Sequence, residues 1–186
     1  YIIGPSPRTI TVTHPNGGEG WWPGTALPIT WDGDRTGEIS VDLYADGIFQ
    51  THAITGTRDD GFAIWAAPAG LAPRRDYTMR VMDAAIPVDY DDSDAPFTIA
   101  PVPEASFALS PDIGPQPLTV TFTDTSTSLI DSWRWDFGDG ITATVQNPLH
   151  TYAELGTYTV TLGITGPSGS DIVTRTQAVT VTLPPL

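Results

Sequence analysis

Hydrophobic and polar residues alternate along most of this chain, and they do so in short bursts. Ile10 and Val12, then Leu27, Ile29 and Trp31, then Ile39, Val41 and Leu43 each take every second position between polar neighbours. A period of two puts one set of side chains on one face, so each burst predicts a strand of a sheet buried on one side. The bursts predict strands at 8–13, 26–31, 38–45, 48–55, 61–66, 76–83 and 95–100. A second series follows at 105–109, 117–124, 131–137, 140–145, 149–152, 156–164 and 170–182. No stretch holds a 3.6-residue apolar period for three turns, so almost no helix is expected.

The interruptions agree with this reading. Asp46-Gly47 separates two bursts by two residues that tolerate positive φ, the strongest short-range hairpin signal. The chain holds 18 Gly and 18 Pro, suited to many short strands joined by tight turns. Pro101-Val102-Pro103 breaks the pattern at mid-chain as a stiff, extended linker. Seven short strands in about 95 residues, repeated after a linker, fit the profile of an immunoglobulin-like sandwich. The predicted fold is therefore all-β, with two tandem immunoglobulin-like β-sandwiches. Residues 1–7 form an extended tip, 8–100 the first sandwich, 101–103 the linker, 104–183 the second sandwich and 184–186 a Pro-rich tail.

One stretch organises the second half. Trp133, Trp135 and Phe137 alternate with Arg134 and Asp136, so three aromatics share a strand face that alternation turns inward. Gly138-Asp139-Gly140 then supplies turn chemistry, in which Asp136 and Asp139 bond nearby backbone rather than a cation. A dozen residues on, Asn147-Pro148-Leu149-His150-Thr151-Tyr152 places His150 and Tyr152 in a short strand, with His150 expected to be a hydrogen-bonding structural residue.

Charge narrows the partners. The net charge of −14 comes from 22 acidic residues against 8 arginines and no lysine. Both halves are acidic, at −8 for residues 1–101 and −6 for 102–186. Such a surface repels nucleic acid and anionic lipid and favours solubility. Cysteine is absent, which excludes disulfides, thiolate metal sites and a Cys nucleophile. No apolar run is long enough to span a bilayer as a helix. A chain opening on Tyr1 rather than Met points to a processed chain or an excised segment.

Candidate contacts and chemistry are few. Asp89, Asp91, Asp92 and Asp94 form the densest acidic run, in a loop where clustered oxygens would suit calcium, although the spacing fits no EF-hand; no other cofactor is indicated. Trp21-Trp22-Pro23-Gly24 puts adjacent residues on opposite sides of an extended chain. If Trp21 packs inward, Trp22 faces out, either as a contact for a partner or a glycan or to pack against the neighbouring domain. The apolar tip Tyr1-Ile2-Ile3 could add as a strand to a neighbour's open sheet edge. Enzymatic arrangements are missing: His14, His52 and His150 lie in separate segments, and no Gly-x-Ser-x-Gly occurs.

Two family resemblances follow from these residues. Trp135-Asp136-Phe137-Gly138-Asp139-Gly140, Asn147-Pro148, His150-Thr151-Tyr152 and Gly156-Thr157-Tyr158-Thr159-Val160-Thr161-Leu162 together resemble a PKD (polycystic kidney disease) repeat over residues 104–183. The resemblance implies a non-catalytic β-sandwich on extracellular and surface proteins, used for spacing, adhesion and protein or glycan contact. Ile141 departs from it, an apolar residue where such repeats usually carry a polar one. Residues 8–100 resemble the Knh-like domain in His14-Pro15-Asn16-Gly17-Gly18-Glu19, Trp21, Ile29-Thr30-Trp31, Val41-Asp42-Leu43-Tyr44, Leu71-Ala72-Pro73 and Pro96-Phe97-Thr98-Ile99. That likeness implies a second extracellular immunoglobulin-like fold, from which Gly20 and Trp22-Pro23 depart.

The expected function is thus a non-enzymatic, extracellular, structural or adhesive module pair of a cell-surface protein, contacting other surface proteins or copies of itself. A subunit of a self-assembling filament or surface layer, joined through the N-terminal tip as a homo-oligomer or polymer, is the second expectation. A pair of accessory domains from a secreted hydrolase is the third.

Overall fold

The computed structural model describes residues 10–33 and 37–185. It contains strands and no helix among them, and it divides between Pro101 and Val102 into two compact units. The tip residues Tyr1, Ile2 and Ile3 lie outside the described residues.

The first unit contains β1 (Thr11–His14), β2 (Gly20–Trp21), β3 (Ala26–Asp32), β4 (Glu38–Ala45), β5 (Ile48–Arg58), β6 (Phe62–Ala66), β7 (Arg74–Asp83), β8 (Tyr90–Asp92) and β9 (Phe97–Ile99). One sheet has the order β1-β3-β6; the other runs β2-β9-β7-β4-β5, with β8 also paired to β7. The alternating residues of β3 and β4 explain why these sheets face each other: Leu27, Ile29, Trp31, Ile39, Val41 and Leu43 are all buried. The β3 residues close on those of β4 and on Tyr77, Met79, Val81, Phe97 and Ile99 of β7 and β9, all in the other sheet. Each large side chain so buried contributes on the order of 2 kcal/mol from removal of apolar surface from water. Asp46 and Gly47 take φ of 50° and 71°, both positive, as a two-residue hairpin between β4 and β5 requires.

The second unit contains β10 (Phe107–Ser110), β11 (Ile113–Pro115), β12 (Leu118–Asp124), β13 (Ser132–Asp136), β14 (Thr142–Ala143), β15 (Leu149–Tyr152), β16 (Gly156–Gly166) and β17 (Gly169–Thr182). Its sheets run β10-β12-β15 and β11-β17-β16-β13-β14. Leu118, Val120 and Phe122 face Trp135, Val160, Leu162 and Ile164 across the core. β16 and β17 pair from Gly156↔Val181 up to Gly166↔Gly169, with one irregularity between Tyr158 and Val160. Both units carry a tyrosine that ties a strand entrance to the chain before it. Tyr77 donates its hydroxyl to the Ala72 carbonyl at 2.8 Å, and Tyr158 donates to the Glu154 carbonyl at 2.8 Å. This is the tyrosine corner of immunoglobulin-like sandwiches.

Some elements differ from the sequence reading. β2, β8 and β11 are short strands that the alternation does not predict, because three residues or fewer show no period. The strand expected over 140–145 is confined to β14, since Gly138 and Gly140 hold the chain in a turn at φ of 81° and 89°. Trp133 is only partly covered, while Trp135 and Phe137 are buried. It stands near the start of β13, at the core margin, where its indole N–H donates to Asp124 Oδ2 at 2.7 Å.

Candidate contact surfaces

The Trp133–Tyr152 constellation is built around the turn at 138–140. Trp135 packs edge-on against Phe107 at 5.3 Å and donates its indole N–H to the Val145 carbonyl at 3.1 Å. Phe137 stacks on His150 with centroids 4.1 Å apart and planes 4° from parallel. His150 Nε2 is 2.7 Å from Asp139 Oδ2, and Asp139 Oδ1 accepts the Ile141 N–H at 3.1 Å. Asp136 Oδ1 accepts the Gly138 N–H at 2.9 Å. The buried Tyr152 hydroxyl donates to the Phe137 carbonyl at 3.1 Å, and burial, with help from Asp139, raises its pKa above the ordinary phenol range. Both carboxylates, the imidazole and the phenol are therefore engaged in shaping one hairpin.

Glycine is required at 138. A Cβ there would lie 2.3 Å from the Thr159 carbonyl oxygen, so the turn rests directly on the β16 backbone. Ile141 is half exposed beside it.

Asp124 is a second polar hub, which the sequence reading missed. It accepts hydrogen bonds from Trp133 Nε1 at 2.7 Å, Ser126 N at 3.0 Å and Gln146 Nε2 at 3.1 Å. Burial alone would raise its carboxyl, and the donors from Ser126, Gln146 and Trp133 outweigh it, leaving the pKa below the ordinary value. Its signal in the sequence is weak, since Asp ends many strands.

The acidic run does not gather. Asp92 forms a two-pronged pair with Arg80, at 2.7 and 2.8 Å, whose guanidinium lies over the rings of Tyr90 and Tyr44. Asp91 Oδ2 accepts the Val12 N–H at 2.8 Å, and Asp94 Oδ2 accepts Asn16 Nδ2 at 2.7 Å. Asp89 receives no side-chain partner of this kind and instead bonds through its backbone to Asp83 and Ile86. Among the described residues no three acidic or histidine side chains form a group able to hold a metal ion. The calcium expectation placed weight on composition; the loop directs Asp91, Asp92 and Asp94 to three different partners.

Trp21 and Trp22 point to opposite sides. Trp21 packs edge-on against Phe97 and His14, each at 5.3 Å, whereas Trp22 is 50% exposed. Together with Gly20, Thr25 and Ala26 they line a shallow depression of about 290 Å³. This surface combines an exposed aromatic with a concave shape.

The sequence model for the PKD domain matches residues 98–181. A 55-residue stretch is 41% identical to the collagenase ColA of Bacillus cereus, spanning 30% of this chain and about 6% of the length of that enzyme. Among solved structures, the PKD1 domain of the Vibrio anguillarum protein Epp is 30% identical, with 45% of this chain and 96% of that one covered at a TM-score of 0.38. The PKD1 domain of the Vibrio cholerae metalloprotease PrtV is 34% identical, with 43% and 96% covered at a TM-score of 0.37. The N-terminal four immunoglobulin domains of Dscam1 isoform 1.9 match in fold alone, at 11% identity and a TM-score of 0.55 over 94% of this chain and 46% of that one. The family match spans most of the second unit, Val102–Leu186, and that unit is a PKD domain.

Proposed function

We propose that the chain is a non-catalytic extracellular accessory module that works by contact with other macromolecules. The observation that carries this reading is how the PKD unit uses its reactive side chains: Asp136, Asp139, His150 and Tyr152 are committed to one hairpin. A catalytic site needs a base or nucleophile directed at a substrate, and here these groups serve the fold. Trp22, half exposed over a concave surface, is the contact residue best placed for a protein segment or a sugar ring.

The purified chain tests the reading directly. It should bind an immobilised matrix, offered as collagen fibrils or as insoluble polysaccharide, without cleaving it, and Trp22→Ala should weaken that binding. Turnover of either substrate by the chain alone would sink the proposal.

The likeness to a segment of a collagenase favours one form of this function, an accessory part of a secreted hydrolase, over a free-standing adhesin. The coding sequence on either side decides between them. A hydrolase domain in the same reading frame supports the first, and repeated β-sandwiches with a surface anchor support the second.

A further inference from the structure

Sheet edges invite pairing with other chains, and most edges here are blunted. β1 has a register shift and is followed by Pro15; β2 and β14 are two residues long; β11 ends at Pro115; β10 is followed by Pro111, and β15 is preceded by Pro148. The long edge strand β5 has three register shifts against β4 and turns at Gly56 with φ of 64°. β6 has none of these devices. Its sequence Phe62-Ala63-Ile64-Trp65-Ala66 lacks charge and proline, and its register with β3 is unbroken from Thr30↔Phe62 to Ala26↔Ala66.

The direction of its free hydrogen bonds follows from that register. Trp31 N donates to the Gly61 carbonyl and Ala67 N to the Thr25 carbonyl, so the odd-numbered residues of this strand are the ones bonded to β3. Phe62, Ile64 and Ala66 therefore turn their N–H and C=O groups to the open edge. Phe62 N–H is engaged by Asp60 Oδ1 at 3.3 Å, and among the described residues no strand pairs beyond β6. The side chains of Phe62 and Ile64 are 49% and 62% exposed on the outer face.

We infer that β6 is a self-association edge, which pairs antiparallel with β6 of a second copy about a two-fold axis at Ile64. Charge selects both this occupant and this direction. No residue from Gly61 to Pro73 is charged, so this is a surface on which two chains of net charge −14 can approach. Asp60 precedes the strand, Asp59 beside it being buried against the Trp31 indole, and Arg74, at the start of β7 in the other sheet, is already paired with Asp76. Antiparallel pairing about Ile64 keeps the two Asp60 residues at opposite ends of the contact. Parallel pairing would set Asp60 beside its own copy. In the antiparallel register Phe62 faces the small Ala66 of the partner, and Ile64 faces itself. The contact is the same from both sides, so it closes as a dimer and does not propagate.

The absence of cysteine makes a direct test simple. Ile64→Cys puts one thiol on the two-fold axis, where paired Cα atoms about 5.5 Å apart fall within disulfide range. Mild oxidation of the full chain should convert this variant to a covalent dimer, while Val88→Cys, at a still more exposed position off the strand, should stay largely monomeric. Sedimentation should show a concentration-dependent dimer for the unaltered chain and a monomer for Ile64→Lys, with unchanged circular dichroism. Equal cross-linking of the two cysteine variants, a monomer at all concentrations, a dimer that survives Ile64→Lys, or polymers in place of dimers would each overturn the inference.

Discussion

The imidazole of His150 lies flat on the ring of Phe137, 4.1 Å between centroids, while its Nε2 reaches Asp139 at 2.7 Å. One side chain thereby joins the aromatic core to the turn that caps it. His150→Ala removes both contacts and should cost about 1–3 kcal/mol. His150→Phe keeps a ring over Phe137 and should recover part of the loss. Thermal unfolding of the three proteins gives the comparison, and identical midpoints for all of them would deny the stack any weight.

Gly138 and Gly140 share a turn and a positive φ but not their surroundings. Gly140→Ala meets open space and should cost only the left-handed strain, about 1–2 kcal/mol. Gly138→Ala also drives a methyl against the Thr159 carbonyl and should cost clearly more. Denaturant midpoints should fall in that order. A larger loss at Gly140 would contradict the steric account.

Acid should weaken the second unit through Asp124. Its pKa is depressed in the folded state from an ordinary value of 3.8, so its stabilisation is complete above that value. As pH falls past 3.8 towards the folded-state pKa, the benefit is lost. Asp124→Asn should therefore be less stable than the parent at neutral pH and approach it in strong acid. A difference in stability that stays constant with pH would rule out the carboxylate as its origin.

The first unit should not respond to calcium chelation, because Asp91, Asp92 and Asp94 each serve a partner within the fold. Melting with and without chelator checks this. Arg80→Lys keeps the charge but loses the two-pronged geometry and the flat contact with Tyr90, and should cost about 1 kcal/mol at this partly exposed site. A stabilised or unchanged variant would show that solvent screens the pair completely.

Alternation made the long strands legible. Leu27, Ile29 and Trp31 announce the buried face of β3, and Asp46-Gly47 announces its type of turn through the φ values that only such residues adopt readily. β2 was not legible because Gly20-Trp21 becomes a strand only by lying parallel to Thr98-Ile99, far along the chain. The partners of the acidic run were not legible for a related reason. Its composition is local, whereas Val12, Arg80 and Asn16 come from other strands and loops. The β6 strand was legible but its edge was not, because which backbone groups it leaves open depends on its pairing with β3.

The β16–β17 hairpin also bears on how the second unit acquires its shape. Its rows extend from Gly166↔Gly169 to Gly156↔Val181, so its first contacts close a loop of only a few residues. The β12 pairings with β10 and β15 join more distant segments and incur a larger entropy cost before any reward. Folding is therefore expected to nucleate at the Pro167-Ser168 end of the hairpin. Substitutions at Thr161 and Thr174, which face each other at 2.9 Å midway along the hairpin, should slow folding, whereas those at Thr119 and Thr151 should mainly speed unfolding. Kinetics with the opposite partition would place the nucleus in the three-stranded sheet.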